Sequence, residues 1–240
     1  METQEDIIQN EAMWLFGYGS LLFKPPLHHL DISKSFKKYD GYVNGYIRRF
    51  WQSSYDNRGT PEFKGRVVTI IPAHEVSSTE SFHNSVKEHE LNHFTEEEEI
   101  NRILNNPFEL HKELKLSGCV YYVPPKAAKE AREYLDFREK DGYAVEEIAF
   151  NVVGTENDPV LKNFPKNENG EPMVKCVVYV GSPTNESFVG PEDINDTAHI
   201  IHKAVGPSGP NIEYLLLLQK EDPKDSYLKQ LKEKVEEYSF

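Results

Sequence analysis

The 240-residue sequence predicts an α+β protein. Three observations carry this reading. Short apolar runs, broken by Gly and Pro, fill the first two-thirds of the chain in the rhythm of strands. Helical spacing takes over in the last third. A charged fraction of 28% with 12% aromatic residues places the chain among folded globular proteins rather than disordered ones.

The expected strands lie at 13–16, 42–52, 66–71, 118–123, 143–153 and 175–180. A helix is expected after Pro124 and Pro125, with Gly142 as its stop. In 192–205, Ile194, Ala198, Ile201 and Val205 recur at helical spacing, and Gly206 reads as the terminator. Two more helices, 211–220 and 225–238, are separated at Pro223. The stretch from about 73 to 115 stands apart. It is polar, carries His74, His83, His89, His93 and His111, and contains the run Glu96-Glu97-Glu98-Glu99. Its histidines lack the tight pairing with a carboxylate that a zinc helix needs, so no metal is expected. Thr95 and Glu98 have capping-box spacing, which predicts a short helix there. The stretch reads as a polar surface insertion within a single domain spanning 1–240, and as one that deletion leaves folded.

Composition narrows the function. A net charge of −13 speaks against nucleic acid or an anionic membrane as the main partner. An acidic substrate must then be held by a local site against the field of the whole chain. The first eleven residues have no apolar core, and no apolar run reaches about 20 residues, so neither a signal peptide nor a membrane span is expected. The two cysteines, Cys119 and Cys176, sit in strand-like runs and read as buried free thiols of a reducing compartment. The cytoplasm, with access to the nucleus, is the expected location.

Two stretches carry chemistry. In "FGYGSLLF", 16–23, glycines on both sides of a tyrosine weaken a strand, so the backbone there has another task. A Gly-Tyr-Gly-Ser-Leu turn at a strand end presents backbone N–H groups to an anion, with glycine permitting close approach and φ > 0. The plain alternative is an ordinary Gly-rich turn. Neither a third dinucleotide-site glycine nor the Gly-Lys-Ser/Thr of a P-loop is present. In "PPKAAKEAREYLDFREKDGY", 124–143, a 100° step per residue puts Ala128, Ala131, Leu135 and Glu139 on one face. Glu139 continues an apolar stripe at the negative end of a helix, and both features raise a carboxyl pKa toward that of a general base. Glu130, about 180° away on the helical wheel, faces solvent. The alternative for Glu139 is pairing with an arginine.

Taken together, "FGYGSLLFKPP", "RRFWQSSYDNRGTPEFKGRVVTIIP", "YLDFREKDGY", "YVGSPTNESFVGP" and "GPSGPNIEYL" resemble the ChaC-type glutathione-specific γ-glutamylcyclotransferases, in family order. The resemblance runs from Met13 to about Gln219, apart from 73–115 and a shorter insertion near 154–173. It implies a γ-glutamylcyclotransferase-like mixed β-barrel with surrounding helices and no metal or organic cofactor. The implied reaction converts glutathione to 5-oxoproline and cysteinylglycine. Glu139 is carried over as the catalytic acid/base, and Gly17, Tyr18, Gly19, Ser20, Leu21 and Leu22 as the substrate-binding segment. Arg49, Arg58, Tyr143 and Tyr214 are candidate contacts to substrate carboxylates or the pocket. Structural ion pairs are the alternative for Arg48, Arg49, Arg58 and Arg66, and core packing for Tyr214. The chain departs from the family pattern at Tyr55 and Asn57 and at Asp141, and these changes leave Glu139 and the glycine loop in place. Two other functions stay open. One is a cyclotransferase for other γ-glutamyl amino acids or amines. The other is a catalytically silent binding protein that keeps the fold as a scaffold.

Overall fold

The computed structural model describes residues 12–27, 30–138, 143–154, 158–181 and 183–238. The chain folds into two compact units. One holds the chain up to Val43 together with Ser117–Val180, and the other holds Asn44–Leu116 together with the chain from Gly181 onward.

The first unit contains a closed mixed barrel. Its strands are β1 (Met13–Gly17), β2 (Lys37–Asn44), β5 (Lys115–Val123), β6 (Tyr143–Val152) and β7 (Met173–Gly181), in the order β1-β5-β2-β6-β7. Strand β1 runs antiparallel to β5, with Leu15 opposite Tyr121 and Gly17 opposite Cys119, and parallel to β7. Leu15, Val120, Phe150, Val152 and Val178 are fully buried, as expected of strands that close on themselves. The helix α5 (Pro125–Arg138) follows β5 and buries Ala127, Ala128, Ala131 and Leu135, while Glu130 is exposed. The predicted face of this helix is therefore the observed one as far as Leu135.

The second unit is built on the antiparallel pair β3 (Tyr46–Ser54) and β4 (Gly65–Pro72). The sequence run 42–52 is thus two strands rather than one. The break is Gly45, whose φ of +77° suits glycine. A Cβ there would also lie 1.9 Å from the His111 ring, so no other residue fits.

The stretch after β4 forms α1 (Ala73–Ser78), α2 (His83–His89), α3 (Glu97–Leu104) and α4 (Pro107–Glu113). The expectation of a polar surface insertion fails here. Val76, Phe82, Val86, Leu91, Ile103, Leu104 and Leu110 are buried in one cluster with Ile47, Trp51 and Ile71 of β3 and β4. The polar residues are the outer faces of short helices whose inner faces complete this core. The Thr95–Glu98 capping box is not formed: α3 starts at Glu97, with Glu96 as N-cap and no side-chain cap.

The C-terminal helices α6 (Ile194–Lys203), α7 (Asn211–Glu221) and α8 (Ser226–Glu237) fall close to their predicted bounds. Asp193 and Asp225 cap α6 and α8 by accepting from Asn195 N and Leu228 N. Gly206 does not itself stop α6, which ends at Lys203; it pairs with Gly209 in a two-residue ladder. No described helix is long and apolar enough to cross a membrane.

Candidate active site

The glycine stretch leaves the barrel at the end of β1 and folds into one 3-10 turn, Ser20–Leu22. Its conformation is held from several sides. Leu22 N donates to Gly19 O at 2.9 Å and Lys24 N to Ser20 O at 2.8 Å. The Tyr121 hydroxyl donates to Leu21 O at 2.9 Å, with the Cys119 thiol 3.8 Å from the same oxygen. Lys38 Nζ donates to Leu22 O at 2.7 Å. Each carbonyl from Gly19 to Leu22 therefore accepts a hydrogen bond from within the unit. In a single helical turn the first N–H groups have no acceptor inside the turn, so pinning the carbonyls fixes where those donors point.

Gly17 is a glycine for steric reasons. A Cβ on it would lie 2.8 Å from Leu21 Cβ and 3.1 Å from Cys119 Sγ. Gly19 has φ −119°, an ordinary negative value. The expected positive φ is not used there.

Tyr18 is buried, and its hydroxyl donates to the backbone carbonyl of Tyr179 on β7 at 2.7 Å. The Tyr179 hydroxyl in turn donates to Asp136 Oδ1 on α5 at 2.6 Å. These bonds tie the glycine loop, β7 and the last turn of α5 together. Asp136 lies three positions before Glu139 in sequence. Glu139 itself, with Gly142, lies outside the described residues, as does the side chain of Tyr143.

The remaining candidates belong to the second unit, and most are committed to its interior. Arg49 uses all five guanidinium donors. Nε donates to Ser85 Oγ, Nη1 to Arg48 O and Glu90 Oε1, and Nη2 to Ser85 O and Glu90 Oε2. It has no N–H left for a substrate carboxylate, which corrects that expectation. Burial pushes the Glu90 carboxyl up, against the pull of Arg49. Arg48 pairs with Asp222 and Asp225 at 2.6 Å each, and Arg66 pairs with Glu192 at 2.6 Å. Burial opposes the ionised form of Asp225, but Arg48, the Leu228 backbone N–H and Arg49 together outweigh it and hold this carboxyl below its ordinary range. Arg58 is buried and donates through Nη1 to Pro210 O at 2.9 Å, with Glu213 Oε2 at 3.4 Å. Tyr214 is buried edge-on to Phe50 with ring centres 5.6 Å apart. In the "GPSGPNIEYL" stretch, Asn211 reads the backbone of β4: its Oδ1 accepts from Arg66 N and its Nδ2 donates to Arg66 O.

The sequence reading missed Tyr121, Lys38, Asp136 and Tyr179 as supports of the site. Asp136 and Tyr179 stand inside stretches that carry the family resemblance, which was the available signal.

The family model for ChaC-like proteins matches residues 13–238. The chain belongs to the ChaC-like family. A Saccharomyces cerevisiae protein named glutathione-specific gamma-glutamylcyclotransferase is 37% identical to this ChaC-like chain over 217 residues, covering 88% of the chain and 85% of the yeast protein. A Schizosaccharomyces pombe protein of the same name is 32% identical over 212 residues, covering 87% and 82%. The crystal structure of a yeast gamma-glutamylcyclotransferase specific to glutathione superposes with a TM-score of 0.80. That match is 34% identical and covers 95% of this chain and 97% of the other, which establishes the γ-glutamylcyclotransferase-like barrel fold.

Proposed function

We propose that this ChaC-like protein is a γ-glutamylcyclotransferase that cleaves glutathione to 5-oxoproline and cysteinylglycine. The observation that carries the reading is the pinned glycine loop of 17–22, on a chain whose relatives bear that activity in their names. The loop's N–H groups hold the γ-glutamyl end of the substrate. This fixes the conformer in which the α-amine lies against its own γ-carbonyl, so much of the entropic barrier is met on binding. Glu139 takes a proton from the α-ammonium. The freed amine attacks the γ-carbon, and the same loop stabilises the oxyanion. The bond from the γ-carbon to the cysteine nitrogen then breaks. Glu139 returns its proton to that nitrogen and then passes on the second proton of the ring nitrogen as well, so the amine departs as an ammonium, the lactam keeps one N–H, and protons balance over the cycle. No covalent enzyme intermediate is needed. One family model matches residues 13–238, which supports reading the chain as one functional domain.

The test is incubation of the full chain with glutathione, with 5-oxoproline measured directly and γ-glutamyl-alanine assayed in parallel. Formation of 5-oxoproline from glutathione alone fits the reading. Equal turnover of γ-glutamyl-alanine points to the broader cyclotransferase, and no product from either points to a scaffold. Glu139→Gln removes the proton acceptor while preserving shape and should lower turnover about 10²- to 10⁴-fold. Retention of a tenth of the wild-type rate removes Glu139 from the role of base. Glu130→Gln, on the exposed side of α5, is the matched control and should stay active.

A further inference from the structure

We infer that Tyr179 is a positioning residue that sets the end of α5 against the glycine loop. The two ends of this residue do different work. Its backbone carbonyl accepts the Tyr18 hydroxyl at 2.7 Å and so steadies the loop. Its own hydroxyl donates to Asp136 Oδ1 at 2.6 Å and so steadies the last turn of α5. Tyr18, Asp136 and Tyr179 stand in three separate stretches of the sequence, 161 and 43 residues apart along the two bonds, yet one residue joins all three. The inference rests on the proposed role of Glu139, which follows Asp136 by three positions in the sequence.

The energetics separate positioning from stability. Asp136 is exposed, so water replaces the hydroxyl if it is removed, and the net stability cost is small. The geometric cost is larger. A shift of about 1 Å in a reacting group lowers rates by up to about 10²-fold. Tyr179→Phe deletes only the hydroxyl. The ring stays, and so does the carbonyl that holds Tyr18. Substrate binding at the loop is therefore spared while the last turn of α5 loses its tie to β7.

The experiment compares kcat, KM and thermal midpoint for wild type, Tyr179→Phe, Asp136→Ala and Asp136→Asn, with 5-oxoproline formation from glutathione as readout. Tyr179→Phe and Asp136→Ala should each lower kcat about 10- to 100-fold, with KM within about twofold and the midpoint nearly unchanged. Their double variant should be no worse than either single one, because both remove the same bond. Asp136→Asn keeps a carbonyl acceptor and should recover most of the lost kcat. If Tyr179→Phe fails to fold, Asp136→Ala carries the test alone, since Asp136 is an exposed residue. Wild-type kcat in Asp136→Ala overturns the inference, and so does a loss in which kcat, KM and midpoint fall together. The parallel Glu139→Gln variant keeps the two readings apart. An inactive Glu139→Gln beside a fully active Asp136→Ala sinks the positioning role alone, whereas an active Glu139→Gln sinks the assignment of the base and this inference with it.

Discussion

Single atoms decide much at the glycine loop. Gly17 stands opposite Cys119 across the β1–β5 ladder, and the space beside its Cα is taken by Leu21 and the Cys119 thiol. A methyl group at position 17 has nowhere to go without moving Leu21, whose carbonyl is pinned by Tyr121. Gly17→Ala should therefore weaken binding of 5-oxoproline by at least about tenfold, measured by calorimetry, with a smaller effect on thermal midpoint. Unchanged affinity would remove the loop from substrate binding. Gly19 calls for a different argument, since its φ is negative. The loop was legible in the sequence because glycines on both sides of a tyrosine within an apolar run are costly unless used. The bonds that hold it were not. Tyr18 and Tyr179 are 161 positions apart, and only the closed barrel brings them together. The arginines were legible as a class only. Sequence offers both ion pair and substrate contact for Arg49, and the choice falls to Glu90, which a helical segment brings to it.

At the scale of elements, strands were easy to read and the 73–115 helices were not. Gly and Pro punctuate the strands, and period-2 patterns survive short lengths. Helices of six to eight residues expose too few turns for a stripe to stand out, so the polar outer faces dominated the average. The structure reverses the deletion expectation. Removing 76–106 strips Val76, Phe82, Val86, Leu91, Ile100, Ile103 and Leu104 from the core and leaves Arg49 buried without Glu90. Each apolar side chain is worth about 1.5–3 kcal/mol, and an orphaned buried charge costs about 3–5 kcal/mol more. The deleted chain should lose its cooperative melting transition, and a sharp transition at the wild-type temperature would refute the core assignment. The same helices carry a pH signature. Burial, with Arg49 as the second cause, lowers the His89 pKa from 6.5 to about 4. Between those values the unfolded chain binds the proton and the folded chain does not. Stability from this site is thus complete above about pH 6.5 and is lost as pH falls toward 4. Glu88 and Asp225 act in the opposite direction on the same ring and are the weaker influences. His89→Gln should shrink the drop in thermal midpoint between about pH 7.5 and about pH 5; an identical drop would mean that His89 titrates normally.

For the whole molecule, charge sets the terms on which substrate arrives. The chain carries −13 at neutral pH, and glutathione, with two carboxylates and one ammonium, carries a net negative charge of its own. The field of the protein therefore opposes encounter, and the affinity must come from short-range donors. The structure fits this division. Arg48, Arg49 and Arg66, which could have formed a cationic funnel, are instead neutralised by buried or half-buried carboxylates. On the proposed reading the short-range donors are backbone N–H groups of the 17–22 loop, whose dipoles act only close by. Salt should then help rather than hinder. Raising ionic strength from about 0.01 M to about 0.15 M shortens the Debye length from about 30 Å to about 8 Å. The distant repulsion is screened, while close hydrogen bonds in the site are hardly touched. The expected result is a rise in kcat/KM for glutathione of about threefold over that range, with kcat itself nearly constant. The neutral control is a γ-glutamyl substrate whose second carboxylate is converted to an amide, for which the rise should largely vanish. A fall in kcat/KM with added salt would mean that exposed cations, rather than backbone donors, capture the substrate.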